Sequence, residues 1–391
     1  MNRISCFLRL LLLALSSCGQ TLDVGRDTPD ARVVTRFEAF PDFTPTAIVS
    51  TGDALYVGGV SFPHREFDAN AVDIGRIVRV PLDGSLPREV WKGPYFTGAL
   101  VAYGKRVAFT ETDPNNVLSP PTLTYGGIDV LDTETGQVTK VENAPGRGFV
   151  STFAFGADGL VWAGSTLQVV TATSESGAGD YTSTLARWRG AGTSTIAVLP
   201  RSPASIFVRG DAMLADVLED GSPSGFDDGA ATSFQHAVFR VGESSLDRER
   251  VLAELPSVTP QSPDPNSLDW RAVAGDDARY YVTMRSQQGM FFGTLPREGS
   301  ASAGFPTALT SLAMGNVQLD GARLFWTPAD SPSMIRRRTI ADEGTLGEEV
   351  YVDSGRQVMS LVAGEGKGEI YWLSTSRFDA REPYRIMAHG K

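Results

Sequence analysis

The residues best suited to chemistry are few. The 391-residue chain holds three histidines, His64, His236 and His389. His64 opens the polar stretch His64-Arg65-Glu66-Phe67-Asp68, with Asp73 close behind. Imidazole and carboxylate donors spaced this closely are the ligand types of zinc and calcium sites. A second acidic stretch, 219–228, carries Asp220, Asp227 and Asp228 around Gly221-Ser222-Pro223-Ser224-Gly225. Neither it nor Glu111-Thr112-Asp113-Pro114-Asn115-Asn116 has the alternating Asp/Asn spacing and distal Glu of a calcium loop. Nor is 221–225 a nucleophile elbow, because Pro223 stands where the serine is needed. A Ser-His-Asp triad would have to pass through one of the three histidines, and His236 opens an expected strand. The chain has no Gly-rich phosphate loop and no Cys metal spacing. The expectation is no catalytic residue, no metal ligand set and no cofactor. It leaves a weak binding role for His64, Glu66, Asp68, Asp220, Asp227 and Asp228 in solvated loops.

What must position these loops is a repeated hairpin. Val317 to Thr327 reads as a strand, an Asp320-Gly321 turn and a second strand ending on Trp326. Variants begin near 47, 99, 152, 205, 271 and 360, with Gly or Asp at the bend. Taking Val57, Phe109, Trp162, Ala215, Val282, Trp326 and Trp372 as equivalent, successive steps are 52, 53, 53, 67, 44 and 46 residues. Between the hairpins lie further strand-length apolar stretches, such as Gly127 to Leu131 and Ala237 to Val241. Two hairpins per step make a four-stranded antiparallel blade, and periods of this size mark a propeller.

The fold class expected is therefore all-β, a seven-bladed β-propeller. Its last blade lacks one strand, because only 384–388 follows the seventh hairpin. A lone strand at 31–40 precedes the first hairpin and is expected to complete that blade. Closing the ring this way protects strand edges. An apolar residue recurs at the Trp326 position in every copy, so Trp326 is read as packing between blades, not as a ligand platform.

The stretch Arg323-Leu324-Phe325-Trp326-Thr327-Pro328-Ala329-Asp330, followed by Met334-Ile335-Arg336, resembles the YWTD-type propeller blade. Glu369-Ile370-Tyr371-Trp372 is similar, although Leu373 stands where Thr would be expected. The resemblance implies propeller architecture and carries no activity.

The formal net charge is −11, which repels phosphates and argues against nucleic acid as a partner. With 41 % hydrophobic residues the chain is globular, and 41 Gly and 23 Pro fit a turn-rich fold. The N-terminus reads as an address. Arg3 and Arg9 precede the apolar run Leu10 to Leu15, which is too short to span a bilayer. Leu15-Ser16-Ser17-Cys18 resembles the lipobox of bacterial lipoproteins. That resemblance implies a signal peptide over 1–17 and a diacylglyceryl thioether on Cys18, the new N-terminus. A lipidated tether over 18–31 and the propeller over 32–391 would follow. The other cysteine, Cys6, lies in the removed segment, so no disulfide is expected. The address implied is the bacterial cell envelope, lipid-anchored at the outer membrane.

The expected insertions lie at 60–75, 111–126, 171–182, 218–235, 256–270 and 374–383, all on one face of the ring. Functional loops on a rigid scaffold gather this way. The expectation is a monomeric, non-catalytic binding or assembly module, taking a protein or glycan partner through these loops. The alternative is a propeller enzyme, a calcium-dependent lactonase- or lyase-like protein acting on a small molecule at the central channel.

Overall fold

The computed structural model describes residues 31–61, 74–93, 96–112, 127–141, 148–167, 181–199, 203–220, 234–255, 269–286, 289–297, 307–308, 316–320, 323–328, 330–340, 349–352, 356–364, 369–376 and 382–390. Among them every regular element is a strand.

The first strand, β1 (Arg32–Arg36), stands apart from the sheet that follows it in sequence. That sheet is β2 (Phe43–Ser50), β3 (Ala54–Ser61), β4 (Ile74–Pro81) and β5 (Arg88–Gly93). Blade 2 is β6 (Phe96–Tyr103), β7 (Arg106–Thr112), β8 (Ile128–Asp132) and β9 (Val138–Val141). Blade 3 is β10 (Gly148–Gly156), β11 (Gly159–Leu167), β12 (Tyr181–Trp188) and β13 (Thr193–Leu199). Blade 4 is β14 (Ser205–Arg209), β15 (Ala212–Asp220), β16 (Phe234–Val241) and β17 (Leu246–Leu255). Blade 5 is β18 (Asp269–Gly275), β19 (Arg279–Ser286), β20 (Gly289–Pro296) and the two-residue β21 (Thr307–Ala308). Blade 6 is β22 (Val317–Asp320), β23 (Arg323–Trp326), β24 (Met334–Thr339) and β25 (Glu349–Val352). Blade 7 joins β26 (Arg356–Ala363), β27 (Ile370–Ser376) and β28 (Arg385–His389) to β1, in the order β1-β28-β27-β26. The fold is thus a seven-bladed propeller of four-stranded antiparallel sheets, closed by the N-terminal strand. Arg32 pairs with Ala388 and Arg36 with Arg385, around a bulge between Val33 and Thr35.

The inner strands β2, β6, β10, β14 and β18 neighbour one another in turn, as do β22, β26 and β2. Apolar residues on both faces of each sheet pack against the flanking blades, because each blade is covered on its two sides. Seven buried clusters result, one at each junction. Val57, Phe109, Trp162, Ala215, Val282, Trp326 and Trp372 are all buried, and each lies in the cluster shared with the preceding blade. The equivalence read from the sequence is therefore a structural one, and Trp326 packs with Leu324, Tyr281 and Phe292 between blades 5 and 6.

Backbone approach fixes two glycines. A Cβ on Gly59 would stand 2.3 Å from the Thr44 carbonyl oxygen, opposite the bulge between Pro45 and Ala47. Gly159 has φ +107°, and its Cβ would meet the Trp188 carbonyl oxygen at 2.4 Å. A side chain at either position would collide with backbone.

Several boundaries differ from expectation. The lone N-terminal strand ends at Arg36, not 40. Phe37 turns inward, 2 % exposed, and its ring packs with Phe40 and Phe43, so burial of the aromatics ends the strand. Strands β3, β4, β15 and β16 run further than expected, so the connections shrink to 62–73 and 221–233. The outer strands β21 and β25 complete the expected four-stranded blades but were not placed in the sequence; β21 has two residues and β25 four, too short for an alternation to show.

Candidate functional site

In each blade the first-to-second and third-to-fourth strand turns leave one rim of the ring, here called the lower rim. The second-to-third connections and the links between blades leave the upper rim. Lower turns between the first two strands are tight, as between Ser50 and Ala54 or Tyr103 and Arg106. Upper connections are long in blades 1 to 4, covering 62–73, 113–127, 168–180 and 221–233, and the link 256–268 shares their rim.

At the upper end of the inner strands, polar side chains bind backbone of the following blade. Thr152 Oγ1 accepts from the Ile206 N–H at 3.3 Å. Asp216, fully buried, accepts from the Ala272 N–H at 2.8 Å through Oδ2, while Ser205 Oγ donates to the Ala272 carbonyl. Asn316 Nδ2 donates to the Val358 carbonyl at 3.5 Å. None of these residues was singled out from the sequence. A signal was present: Thr152, Ser205 and Asn316 each stand one residue before the inner-strand partner of Trp162, Ala215 and Trp326. Strand alternation turns that position toward the next blade. In blade 7, Arg356 donates from Nη1 to Glu382 Oε2 at 2.6 Å and from Nη2 to the Pro383 carbonyl at 2.8 Å. That grip fastens the start of β26 to the segment entering β28.

On the lower rim, an ion pair within blade 4 is tied to blade 5 by a hydroxyl. Arg209 grips Glu249 with two bonds of 2.7 and 2.8 Å, and the Tyr280 hydroxyl donates to Glu249 at 2.8 Å. The Arg209 bond holds the Glu249 carboxyl below the usual range, against its burial and aided by Tyr280. Burial and the Glu249 charge push the Tyr280 phenol up. In blade 7, Tyr371 donates to the buried Glu369, which Arg32 approaches at 3.7 Å from β1. Burial first, then Glu369, raises the Tyr371 phenol well above its ordinary value.

Of the residues singled out from the sequence, Cys18, His64, Glu66, Asp68, Asp227 and Asp228 lie outside the described residues. Asp220 ends β15 opposite Phe234, at the upper rim; its side chain lies outside them too. The strand ends flanking 62–73 and 221–233 belong to blades 1 and 4, three steps apart around the ring. His236 pairs with Leu218 inside blade 4, and His389 with Ile370 in blade 7.

No protein-family profile matches the chain, and no curated protein matches it. Solved structures do. The β-propeller domain of the Trilobed protease from Pyrococcus furiosus aligns with TM-score 0.56 at 10 % identity, over 89 % of this chain and 95 % of that one. That domain is described as having an open velcro topology, whereas β1 closes the ring here. Acylaminoacyl peptidase from Pyrococcus horikoshii aligns with TM-score 0.54 at 11 % identity, over 90 % of this chain and 52 % of that one. An oligogalacturonate lyase in complex with manganese aligns with TM-score 0.53 at 12 % identity, over 94 % and 95 %. Among the described residues no group of three or more His, Cys, Asp and Glu could hold a metal ion, so these residues do not fit such a centre. At this identity the likeness carries architecture alone: the chain shares the propeller fold of a protease domain and of a lyase.

Proposed function

We propose that this protein is a lipid-anchored propeller of the bacterial cell envelope, acting as a non-catalytic binding or assembly module. Its upper rim takes a protein or glycan partner, and the Cys18 lipid holds the ring at the outer membrane. The observation that carries the binding role is the one-sided length of the connections. Blades 1 to 4 hold long segments above a scaffold whose opposite rim has tight turns. A rigid ring with variable loops on one side is how scaffolds present recognition surfaces. The latches of Ser205, Asp216 and Arg356 fasten strands at that rim, so loop changes there leave the ring intact.

Two experiments test this. Shortening 62–73, 221–233 and 256–268 to Gly-Ser linkers should leave the melting temperature near that of the parent while abolishing the partners crosslinked in intact cells. An unchanged crosslinked set overturns the binding role. Cys18→Ser should move the chain from the membrane to the soluble fraction; retention in the membrane overturns the anchor.

A second reading is a lyase-like enzyme acting at the central channel. The end-to-end alignment with the oligogalacturonate lyase favours it, since both chains are used almost completely. Release of unsaturated product from oligogalacturonate by the purified chain would establish it over the first reading.

A further inference from the structure

A cleft of about 350 Å³ lies between blades 1 and 2 on the lower rim, away from the long connections. One wall is the start of β5, with Arg88, Glu89 and Val90; the other is the turn that runs from Leu131 through Glu134 to Gly136. Tyr56 also lines it and is 1 % exposed. Among the described residues the Tyr56 hydroxyl has no hydrogen-bond partner. A phenol so nearly buried is expected to find one, and here the open direction is the cleft.

The walls are built. Asp132 accepts from the N–H groups of Glu134 and Thr135 at 3.1 and 2.8 Å and from the Thr135 hydroxyl at 3.0 Å. Thr133 binds the Lys105 carbonyl through both its N–H and its hydroxyl at 2.9 Å. Across the cleft, Glu89 pairs with Arg76 at 3.0 Å. Arg76 neutralises Glu89, while Asp132 keeps its charge with its acceptors filled by these donors and the Arg106 charge nearby. Arg88 and the Glu134 carboxylate have no such partner among the described residues. The lining thus offers one cation and one carboxylate not already engaged by described protein groups, Arg88 and Glu134, beside a neutral hydroxyl.

We infer that this cleft binds a small zwitterion of the amino-acid class. Its carboxylate pairs with Arg88, its ammonium with Glu134, and a polar side group reaches Tyr56. An anion would be repelled by Glu134 and a cation by Arg88, while a neutral polyol would leave both charges uncompensated. The site is independent of the upper-rim reading, and its failure leaves that reading untouched.

The test is calorimetric titration of the full chain with glycine, L-serine and L-glutamine, each singly, and with sodium acetate and glucose as comparators. Saturable binding of an amino acid is expected, weakened about fivefold by Tyr56→Phe, which removes one hydrogen bond. Arg88→Gln and Glu134→Gln, both at solvated walls, should each weaken it about tenfold or more. If Tyr56→Phe lowers the melting temperature, the two wall variants carry the test. Absence of saturable binding by any amino acid overturns the proposal. So does binding that neither wall variant weakens, or tighter binding of acetate or glucose.

Discussion

Trp326 and Trp372 stand at corresponding places in adjacent blades, 2 % and 0 % exposed. Each fills the gap to the blade before it, where a smaller side chain would leave a cavity that radial sheets cannot collapse to fill. Trp326→Ala and Trp372→Ala are each expected to cost about 3–5 kcal/mol in urea unfolding. At this residue Ala215, in blade 4, shows the converse: the gap there is filled by Ile206, Met213 and Phe239 instead. Glu249 gives a pH-dependent case. Its folded pKa is depressed, so its stabilisation is present above the ordinary value of 4.5 and is lost as pH falls through the folded value. Glu249→Gln should therefore destabilise by about 2 kcal/mol at neutral pH, as loss of charged hydrogen bonds does. The gap to the parent should narrow below pH 4.5, measured by thermal melts across pH.

At the scale of elements, β1 decides closure. It contributes the outer strand of blade 7 through pairing with β28, an N–H bond from Phe37 to the Tyr384 carbonyl at 3.0 Å, and the Arg32–Glu369 approach. Its side chains are largely exposed, so its hold rests on backbone pairing and on the Phe37, Phe40 and Phe43 cluster that follows. A chain beginning at Phe37 should keep that cluster but expose the edge of β28. It is expected to melt several degrees lower and to aggregate more readily, since an open edge templates pairing. Hydrogen exchange should rise first in β28. Equal protection of β28 in the two chains would contradict this role for β1.

Across the whole molecule, closure couples blade 7 to blade 1 through the cluster joining Phe43, Ile48 and Val57 to Tyr371, Leu373 and Ile386. A ring with seven such junctions has no free end at which to fray. Thermal unfolding of the parent is expected as one calorimetric transition, with the van't Hoff and calorimetric enthalpies in agreement. The chain lacking β1 should broaden or split that transition, because blade 7 can then open without the rest. The rims divide the other roles: the lower ties blade 5 to blade 4 through Tyr280 and the Arg209–Glu249 pair, while the upper carries the long connections.

Much of this architecture was legible in the sequence. The period of the apolar marker residues set the number of blades, and the missing last strand with the surplus N-terminal one set the closure. Both follow because strand alternation and repeat spacing are local properties of a chain. The lipobox resemblance at Cys18 and the loop residues His64, Glu66, Asp68, Asp227 and Asp228 belong to segments outside the described residues. Tertiary structure alone decided what is non-local. It showed that Ser205 and Asp216 together hold the backbone of Ala272, 56 residues beyond Asp216, and that Arg209, Glu249 and Tyr280 meet across two blades. It also brought Arg88 of one blade and Glu134 of the next into the lining of one cleft with Tyr56. Such groups are joined by how neighbouring sheets stack, and no spacing along a single strand encodes the stacking.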